Sequence, residues 1–359
     1  MPGLDAPPSH LVHPGRTYAA DAKLCVRLRC MSPLFAPMEP GAFGFRSRRA
    51  PVYGARGMVA TSQPLASEAG LRILQEGGTA ADACVAAAAA LNVTEPCNTG
   101  LGGDAFALFY EAKTKKESVG RTVDSLRGSE LNPLSALCVT VPGSAAAWEA
   151  AIQRWGVKTL REVLTPAIEL AEEGFPVSEG AAQIWKHSED LLRRAAKGGS
   201  TPYLPDGRTP RAGKVFRNPD LARTMRLLGE KGAKEGFYTG RVAEEIVKAL
   251  ASRGGVMTVE DLAAHCSSFV EPISTCFRGK YRLYECPPPT QGVTALMALN
   301  LLEQVPVLPR LSTAAIHAQS EALRFAFADA LQFCADPAAG AGVAGLLDKD
   351  RAAARWKQL

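Results

Sequence analysis

The sequence predicts a helix-rich α/β fold. Apolar residues recur at helical spacing in residues 65–74, and residues 80–93 are almost all alanine, so two helices follow each other closely. A strand is predicted over residues 105–110 after the glycine-rich loop, and residues 272–285 alternate in strand fashion. The composition, 47% hydrophobic and 21% charged residues, is that of a globular protein with a sizeable core.

The stretch from residue 57 to residue 82 contains a start or stop signal at each expected boundary. Residues 57–62 are short, apolar and β-leaning, and Pro64 then suits the first turn of a helix because that turn needs no N–H at this position. Gly77 and the glycine after it end the helix. Thr79 and Asp82 have the spacing of a capping box and predict a second helix.

The second helix is so poor in polar and bulky side chains that we expect it to be buried, with Cys84 inside it and neighbouring elements close against its backbone. It leads into Gly100-Leu-Gly-Gly103, which together with Ala105 formally matches a dinucleotide fingerprint. That fingerprint requires a strand before the loop and a helix after it, whereas the order predicted here is the reverse. The glycines are therefore interpreted as close-packing positions.

Several motifs of this stretch resemble one known family. They are Met58-Val-Ala-Thr-Ser with Pro64-Leu-Ala-Ser, Gly77-Gly-x-Ala-Ala-Asp-Ala83 and Gly100-Leu-Gly-Gly103. They are similar to the large subunit of the gamma-glutamyltranspeptidase (glutathione hydrolase) family. The resemblance extends in collinear order over most of the chain, and it implies an N-terminal-nucleophile hydrolase αββα four-layer sandwich to which this portion contributes mainly helices.

The remaining elements follow from the same signals. Residues 111–116 form a hairpin tip, and 139–143 form a strand that ends in a turn. Helices are predicted to open at Ser144 and at Thr165-Pro166, the latter ending at Gly174. The further predicted helices span 181–194, 218–229, 239–253, 293–303 and 313–333, with a hairpin over 272–285.

The first 50 residues are rich in proline and show neither helical nor alternating periodicity, so we predict a disordered or surface-lying arm. Residues 51–359 are then one large-subunit domain. The charge of +5 is spread along the chain and gives no case for a nucleic-acid partner or a membrane surface. No secretory core or membrane-length apolar run is present, and nine irregularly spaced cysteines suit reduced thiols, so a cytoplasmic location is expected.

The resemblance implies a specific chemistry. In the family, a precursor cleaves itself, and the threonine freed at the start of the small subunit attacks the γ-glutamyl carbonyl of glutathione with its own α-amine as base. Water or an amino acid then releases the glutamyl group. The sequence stops at Leu359, upstream of the expected threonine. We therefore predict no catalytic residue in this chain, and a small-subunit partner that supplies the nucleophile.

Other chemistries were weighed against this one. Thr61 and Ser62 lie at a strand-to-helix turn, where nucleophiles occur, but no histidine follows nearby, and a helix cap is the preferred interpretation. His265 and Cys266 with Cys276 and Cys286 lack the close ligand spacing of a zinc site. No metal and no cofactor is expected.

One substrate-binding residue is predicted from the resemblance. In the family, an arginine after the first long hairpin pairs with the α-carboxylate of the glutamyl group, a role that suits the planar guanidinium fork. Arg121 is the nearest match, although the segment around it is shortened and lacks the small residue and proline that usually follow. The alternative is an exposed loop arginine, and Arg127 is the second candidate.

Three functional readings stay open at this point. The first is a hydrolase or transferase of γ-glutamyl compounds that is inactive until the small subunit completes it. The second is a non-catalytic truncated form or binding partner. The third is a related β-lactam or glutaryl acylase with the same fold and the same kind of N-terminal nucleophile.

Overall fold

The computed structural model describes residues 51–122, 135–196, 201–334, 343 and 345–358. These residues fall into two compact units. The first unit is Tyr53–Pro272, and the described residues of the second lie mainly in 273–334 and 345–358. The predicted arm over residues 1–50 lies outside the described residues.

The first unit is mostly helical. Its helices are α1 (Pro64–Gln75), α2 (Ala80–Thr94), α3 (Ser144–Trp155), α4 (Leu160–Glu173), α5 (Glu179–His187), α6 (Glu189–Ala195), α7 (Pro219–Ala233), α8 (Gly240–Ala251) and α9 (Val259–Ala263). Its strands are β1 (Ala105–Glu111), β2 (Lys116–Thr122), β3 (Phe175–Pro176), β4 (Val215–Phe216) and β5 (Ser268–Val270).

The second unit combines a hairpin with three helices in its described residues. The elements are β6 (Ile273–Phe277), β7 (Tyr281–Glu285), α10 (Gly292–Leu302), α11 (Thr313–Phe333) and α12 (Lys349–Trp356). Residues 278–280 connect the two strands, and Arg278 and Gly279 among them have positive φ. The hairpin predicted from the alternation over 272–285 is confirmed. The predicted helices over 293–303 and 313–333 are confirmed.

The predicted start of α2 is confirmed, because Thr79 and Asp82 form the capping box. The predicted end of α1 is confirmed as well, at Gly77 with φ 88°. At α4 the prediction is wrong, because Pro166 lies inside the helix. The helix begins earlier, at a capping box between Thr159 and Glu162 that satisfies its first N–H groups.

Three other sequence predictions are corrected. Residues 57–62 form no strand; Val59 and Thr61 are half-buried while their neighbours are exposed, but no described strand pairs with them. Residues 139–143 also form no strand. The Pro142 carbonyl accepts a hydrogen bond from the Tyr238 hydroxyl (2.6 Å) and not from the backbone of a neighbouring strand. The helix predicted over 181–194 is two helices, α5 and α6, which meet at Ser188.

The main sheet has the strand order β1-β2-β5 and is antiparallel throughout. One face packs on α3: the Phe109 ring stacks on Trp155 with centroids 4.8 Å apart, and Phe269 meets the same Trp155 ring edge-on at 5.5 Å. The opposite face carries Phe106, Leu108 and Tyr110, which are 37%, 45% and 57% exposed. The sheet therefore has apolar side chains on both faces.

Helix α2 lies at the centre of the larger core, as its composition predicts. A Cβ placed on Gly70 of α1 would lie only 2.8 Å from the Ala83 carbonyl oxygen of α2, so the two helices approach at backbone distance. Most side chains of α2 are buried. The prediction that Cys84 is buried with the rest of the helix is wrong, because this residue is exposed on one side of α2.

The buried start of α2 is held by Asp82, whose side chain is fully buried. Its carboxylate accepts hydrogen bonds from the Thr79 amide (2.8 Å), the Thr79 hydroxyl (3.0 Å) and the Val157 amide (3.0 Å). A buried charge persists only when its polar atoms are satisfied in this way. Asp82 therefore joins the helix start to the loop between α3 and α4.

The second unit has its own buried ion cluster. Asp329 of α11 accepts from Arg351 (3.0 Å) and from Arg355, both on α12. Burial raises the pKa of Asp329, but the hydrogen bonds from Arg355 and Arg351 outweigh it and hold that pKa below its ordinary value. The cluster pins α12 against α11.

No helix among the described residues is long and apolar enough to cross a membrane.

The close approach of α1 and α2 gives a packing prediction. Gly70→Ala should lower the free energy of unfolding by about 1–3 kcal/mol, since the methyl group would be driven against the Ala83 carbonyl. Gly180→Ala is the matched control, because a Cβ on this helical glycine meets no atom within 4 Å. Thermal or urea unfolding measures both. Equal midpoints for the two variants would contradict the packing described for α2.

The Asp329 cluster gives a pH prediction. Asp329→Asn should lower the free energy of unfolding by about 1–3 kcal/mol at neutral pH, because two arginines lose a charged acceptor. The wild type should have the higher free energy of unfolding at pH values above the ordinary pKa of an aspartate. This difference from Asp329→Asn should be lost as the pH falls through the depressed pKa of Asp329 in the folded state. Urea titrations between pH 7 and pH 2 test this, with Asp350→Asn, an exposed neighbour, as control. A difference that does not change with pH would refute the role given to the charge.

Candidate functional site

Arg121 lies in the central strand of the main sheet. In β2 it is in register with Phe106 of β1 and with Ser268 of β5. Directly opposite residues of antiparallel strands share a face, so Arg121 occupies a position on the face of Phe106 and Leu108, away from the α3 aromatic stack. Arg127, the second candidate, lies outside the described residues.

The glycine loop between α2 and β1 is held by the start of α3. The Gly103 carbonyl accepts from the amides of Gly143 (2.9 Å) and Ser144 (3.0 Å). The buried Ser144 hydroxyl also lies 2.8 Å from the Gly103 carbonyl and 3.0 Å from that of Asp104. The loop carbonyls thus satisfy the free N–H groups of a helix start, and the loop is fixed in place.

The close-packing interpretation of the loop glycines is wrong for two of them. A Cβ on Gly100 or Gly102 would meet no atom of the described residues within 4 Å, and neither residue has positive φ. The loop does follow a helix and lead into a strand, the reverse of the order in a dinucleotide site. Within the described chain, the Cα atoms of these two glycines therefore face open space.

A polar cluster lies between the start of α1 and the start of the glycine loop. Ser62 donates to Glu95 (2.8 Å), which also accepts from Asn98 (3.2 Å). Thr61 donates to the Gln63 carbonyl (2.6 Å) and lies 2.7 Å from the Ser67 hydroxyl. The link between Ser62 and Glu95 was not predicted from the sequence, since residues 33 apart carry no local signal of contact.

The hydroxyls of this cluster act as hydrogen-bonding groups at the start of α1. The Ser62 hydroxyl is held by the Glu95 carboxylate and the Thr61 hydroxyl by the Gln63 carbonyl. The predicted helix cap is one residue further on: Gln63 caps α1 and accepts from the Leu65 and Ala66 amides. Thr61 and Ser62 precede the cap.

The cysteine thiols near the sheet are not activated. Although the Cys84 residue has exposed surface, desolvation of its sulfur by neighbouring atoms raises the pKa of this thiol, and burial raises the pKa of Cys97, so the thiolate form is disfavoured at both. Burial also raises the pKa of Tyr238 to about 12, and its hydroxyl accepts from the Ala146 amide (3.2 Å) while donating to Pro142. Tyr238 therefore holds the first turn of α3 and does not exchange protons near neutral pH.

The four residues weighed for zinc divide between the two units, with His265 and Cys266 in the first and Cys276 and Cys286 in the second. Among the described residues, no three histidine, cysteine, aspartate or glutamate side chains gather as a metal site would require.

Comparison with known proteins identifies the family. The family model described as gamma-glutamyltranspeptidase matches residues 66–359. The glutathione hydrolase-like YwrD proenzyme of Bacillus subtilis is 38% identical over 317 residues, which are 83% of this chain and 59% of YwrD. The chain thus spans about three fifths of the length of this relative.

Two solved structures share the fold. The gamma-glutamyltranspeptidase of Helicobacter pylori is 30% identical with a TM-score of 0.79, and the match covers 86% of this chain and 93% of that chain. The cephalosporin acylase of Bacillus halodurans is 37% identical, also with a TM-score of 0.79, over 90% of this chain and 63% of that chain. The predicted N-terminal-nucleophile hydrolase architecture is confirmed, and the chain belongs to the gamma-glutamyltranspeptidase family.

Proposed function

We propose that this chain, with residues 51–359 acting as one large-subunit domain, is the scaffold of an enzyme that hydrolyses or transfers the γ-glutamyl group of glutathione. The attacking threonine belongs to a small subunit outside these residues. The family match supports the reaction class, and the names of relatives such as the YwrD proenzyme support maturation from a precursor.

The observation that carries this proposal is the uncovered apolar face of the main sheet. Phe106, Leu108 and Tyr110 stay exposed on it, although the opposite face of the same strand is packed on α3. An αββα sandwich covers one face of each sheet with helices and the other with a second sheet. The exposed face therefore has the character of an inner face, and Arg121 is on it.

The role proposed for Arg121 is to bind the α-carboxylate of the glutamyl group. A guanidinium offers two parallel N–H donors that match a carboxylate, which a lysine cannot reproduce. Its place in a central strand, with hydrogen-bonded neighbours on both sides, gives such a ligand a rigid backbone. A cytoplasmic location remains a prediction from the sequence composition.

A second candidate function is an acylase. It is favoured by the likeness to the cephalosporin acylase of Bacillus halodurans, which matches this chain as well as the transpeptidase structure does. Both reactions use the same attack on a carbonyl, so the scaffold alone serves either. Substrate choice separates the two.

Complementation tests the proposal. The chain alone should release no p-nitroaniline from γ-glutamyl-p-nitroanilide above the uncatalysed rate. Co-expression with a matching small subunit, for which the unaligned segment of the YwrD proenzyme is the probe, should restore turnover. A glutaryl cephalosporin assayed in parallel distinguishes the acylase. Turnover by the chain alone would overturn the missing-nucleophile account, and a stable complex inactive on both substrates would favour a non-catalytic binding role.

Substitution at Arg121 tests whether this residue binds the α-carboxylate of the glutamyl group. In the complemented enzyme, Arg121→Ala should lower kcat/KM for γ-glutamyl-p-nitroanilide on the order of 100-fold, mostly through KM, because a charged hydrogen-bond pair is lost. Arg121→Lys should recover only part of this. Arg241→Ala, at an exposed position of α8, is the control.

A truncated substrate sharpens the Arg121 test. The 4-aminobutyryl analogue of γ-glutamyl-p-nitroanilide lacks the α-carboxylate, so the wild type and Arg121→Ala should hydrolyse it at similar rates. A variant that loses activity equally on both substrates would show that Arg121 acts on the fold and not on the carboxylate.

A further inference from the structure

A cavity of about 340 Å³ lies in the first unit, where α3 ends and α4 begins. Small-molecule pockets range from about 300 to 1,000 Å³, so this α3–α4 cavity has room for a ligand of the size of an amino acid. The residues of its lining that carry the argument are Glu149, Ile152, Gln153, Val157, Lys158 and Leu160.

The Glu149 carboxylate of the cavity has no partner of its own. Glu149 is half-buried, and within the part of the chain that the structure describes it takes part in no hydrogen bond and no ion pair. One of its oxygens lies against the backbone of Gly232 near the end of α7, because a Cβ on this glycine would be 2.6 Å from Glu149 Oε1. A carboxylate that has lost water without gaining a donor is costly, so a cationic group in the cavity would satisfy it.

Lys158 provides the opposite charge. Its side chain is only 20% exposed, and its ion pair with the exposed Glu162 is long, at 3.3 Å. The other carboxylate oxygen of Glu162 already accepts from the amide and the hydroxyl of Thr159 (2.8 and 2.7 Å). An ammonium group has three donors, so Lys158 keeps donors for an anionic ligand group. The N-terminus of α4 lies beside it and favours a negative charge as well.

The rest of the cavity combines apolar surface with a fixed backbone. Ile152, Val157 and Leu160 contribute aliphatic side chains to the lining. The loop between α3 and α4 is held from behind by the buried Asp82 carboxylate, which accepts from the amides of Val157 (3.0 Å) and Lys158 (3.4 Å). A site whose backbone is already ordered binds without the entropic cost of ordering it.

We propose that the α3–α4 cavity binds a free α-amino acid with an aliphatic side chain. Its ammonium group pairs with Glu149 and with the amide oxygen of Gln153, which is one turn further along α3. Its carboxylate pairs with Lys158, and its side chain lies against Ile152 and Leu160. The cavity contains no residue of the proposed γ-glutamyl site, so this inference goes beyond the proposed function and does not depend on it.

Titration of the full chain with L-leucine, followed by calorimetry, is the direct test. We expect saturable binding with a Kd on the order of 1 mM and a rise of the thermal unfolding midpoint with ligand concentration. Two analogues separate the charges: 4-methylpentanoate lacks the ammonium group and 3-methylbutylamine lacks the carboxylate. Each should bind about tenfold more weakly or worse, because one charged hydrogen-bond pair is lost.

Substitutions locate the binding. Glu149→Gln keeps the shape of the side chain and should weaken L-leucine binding by about tenfold or more. The unfolding midpoint of the free variant should stay near the wild-type value, since Glu149 forms no hydrogen bond within the described residues. Gln153→Trp, at an exposed position, should block the cavity to a similar extent. Glu244→Gln, at an exposed position of α8, is the matched control and should bind like the wild type.

Three outcomes would overturn the proposal. They are no saturable binding of L-leucine, an analogue that binds as tightly as L-leucine, and wild-type affinity in either Glu149→Gln or Gln153→Trp. Each measurement uses the chain without a small subunit and without turnover. A chain that binds no L-leucine but hydrolyses γ-glutamyl-p-nitroanilide once complemented would therefore reject the cavity and keep the proposed function. L-leucine binding by a chain that no small subunit activates would do the reverse.

Discussion

The packing of α2 is the constraint on which the first unit depends. This helix has so little side-chain bulk that α1 contacts it at backbone distance, at Gly70 and the Ala83 carbonyl. At its start, the buried Asp82 carboxylate binds the amides of the loop between α3 and α4. At its end, the glycine loop leads into β1 and is fixed by Ser144. One helix thus sets the positions of three helices and the first strand.

Two apolar surfaces of the main sheet are uncovered in the described chain. Helices cover α2 on several sides and α3 covers one face of the sheet, but the free edge of β1 and the face of Phe106, Leu108 and Tyr110 have no cover in the described chain. Burying these surfaces would require additional strands. The proposed small subunit would account for both uncovered surfaces.

Local signals in the sequence predicted much of this fold. The capping box at Thr79, the glycine stop at Gly77 and the hairpin at Gly279 were found because each depends on neighbouring residues alone. The strand predicted over 57–62 is wrong because a short apolar, β-leaning run is a property of one segment, whereas a strand needs a partner segment. The start of α4 was misplaced because Pro166 is tolerated inside a helix whose stronger cap lies at Thr159.

Tertiary features were beyond the reach of the sequence. The link between Ser62 and Glu95 joins distant residues and has no local pattern. Cys84 was expected to be buried with the rest of α2, because composition does not show which side of a helix lacks a neighbour. The open surroundings of Gly100 and Gly102 were likewise unpredictable, since a glycine in a sequence indicates permissive geometry but not what lies opposite it.

The central claim is that these residues build the scaffold and the carboxylate ligand of a γ-glutamyl site, while the attacking hydroxyl is on another polypeptide. Mass mapping of the glutamyl adduct, trapped by acid quenching of the complemented enzyme during turnover, tests it most directly. The account predicts an adduct on the small-subunit peptide and none on any peptide of this chain. A glutamyl adduct on a side chain between Met1 and Leu359 would contradict it.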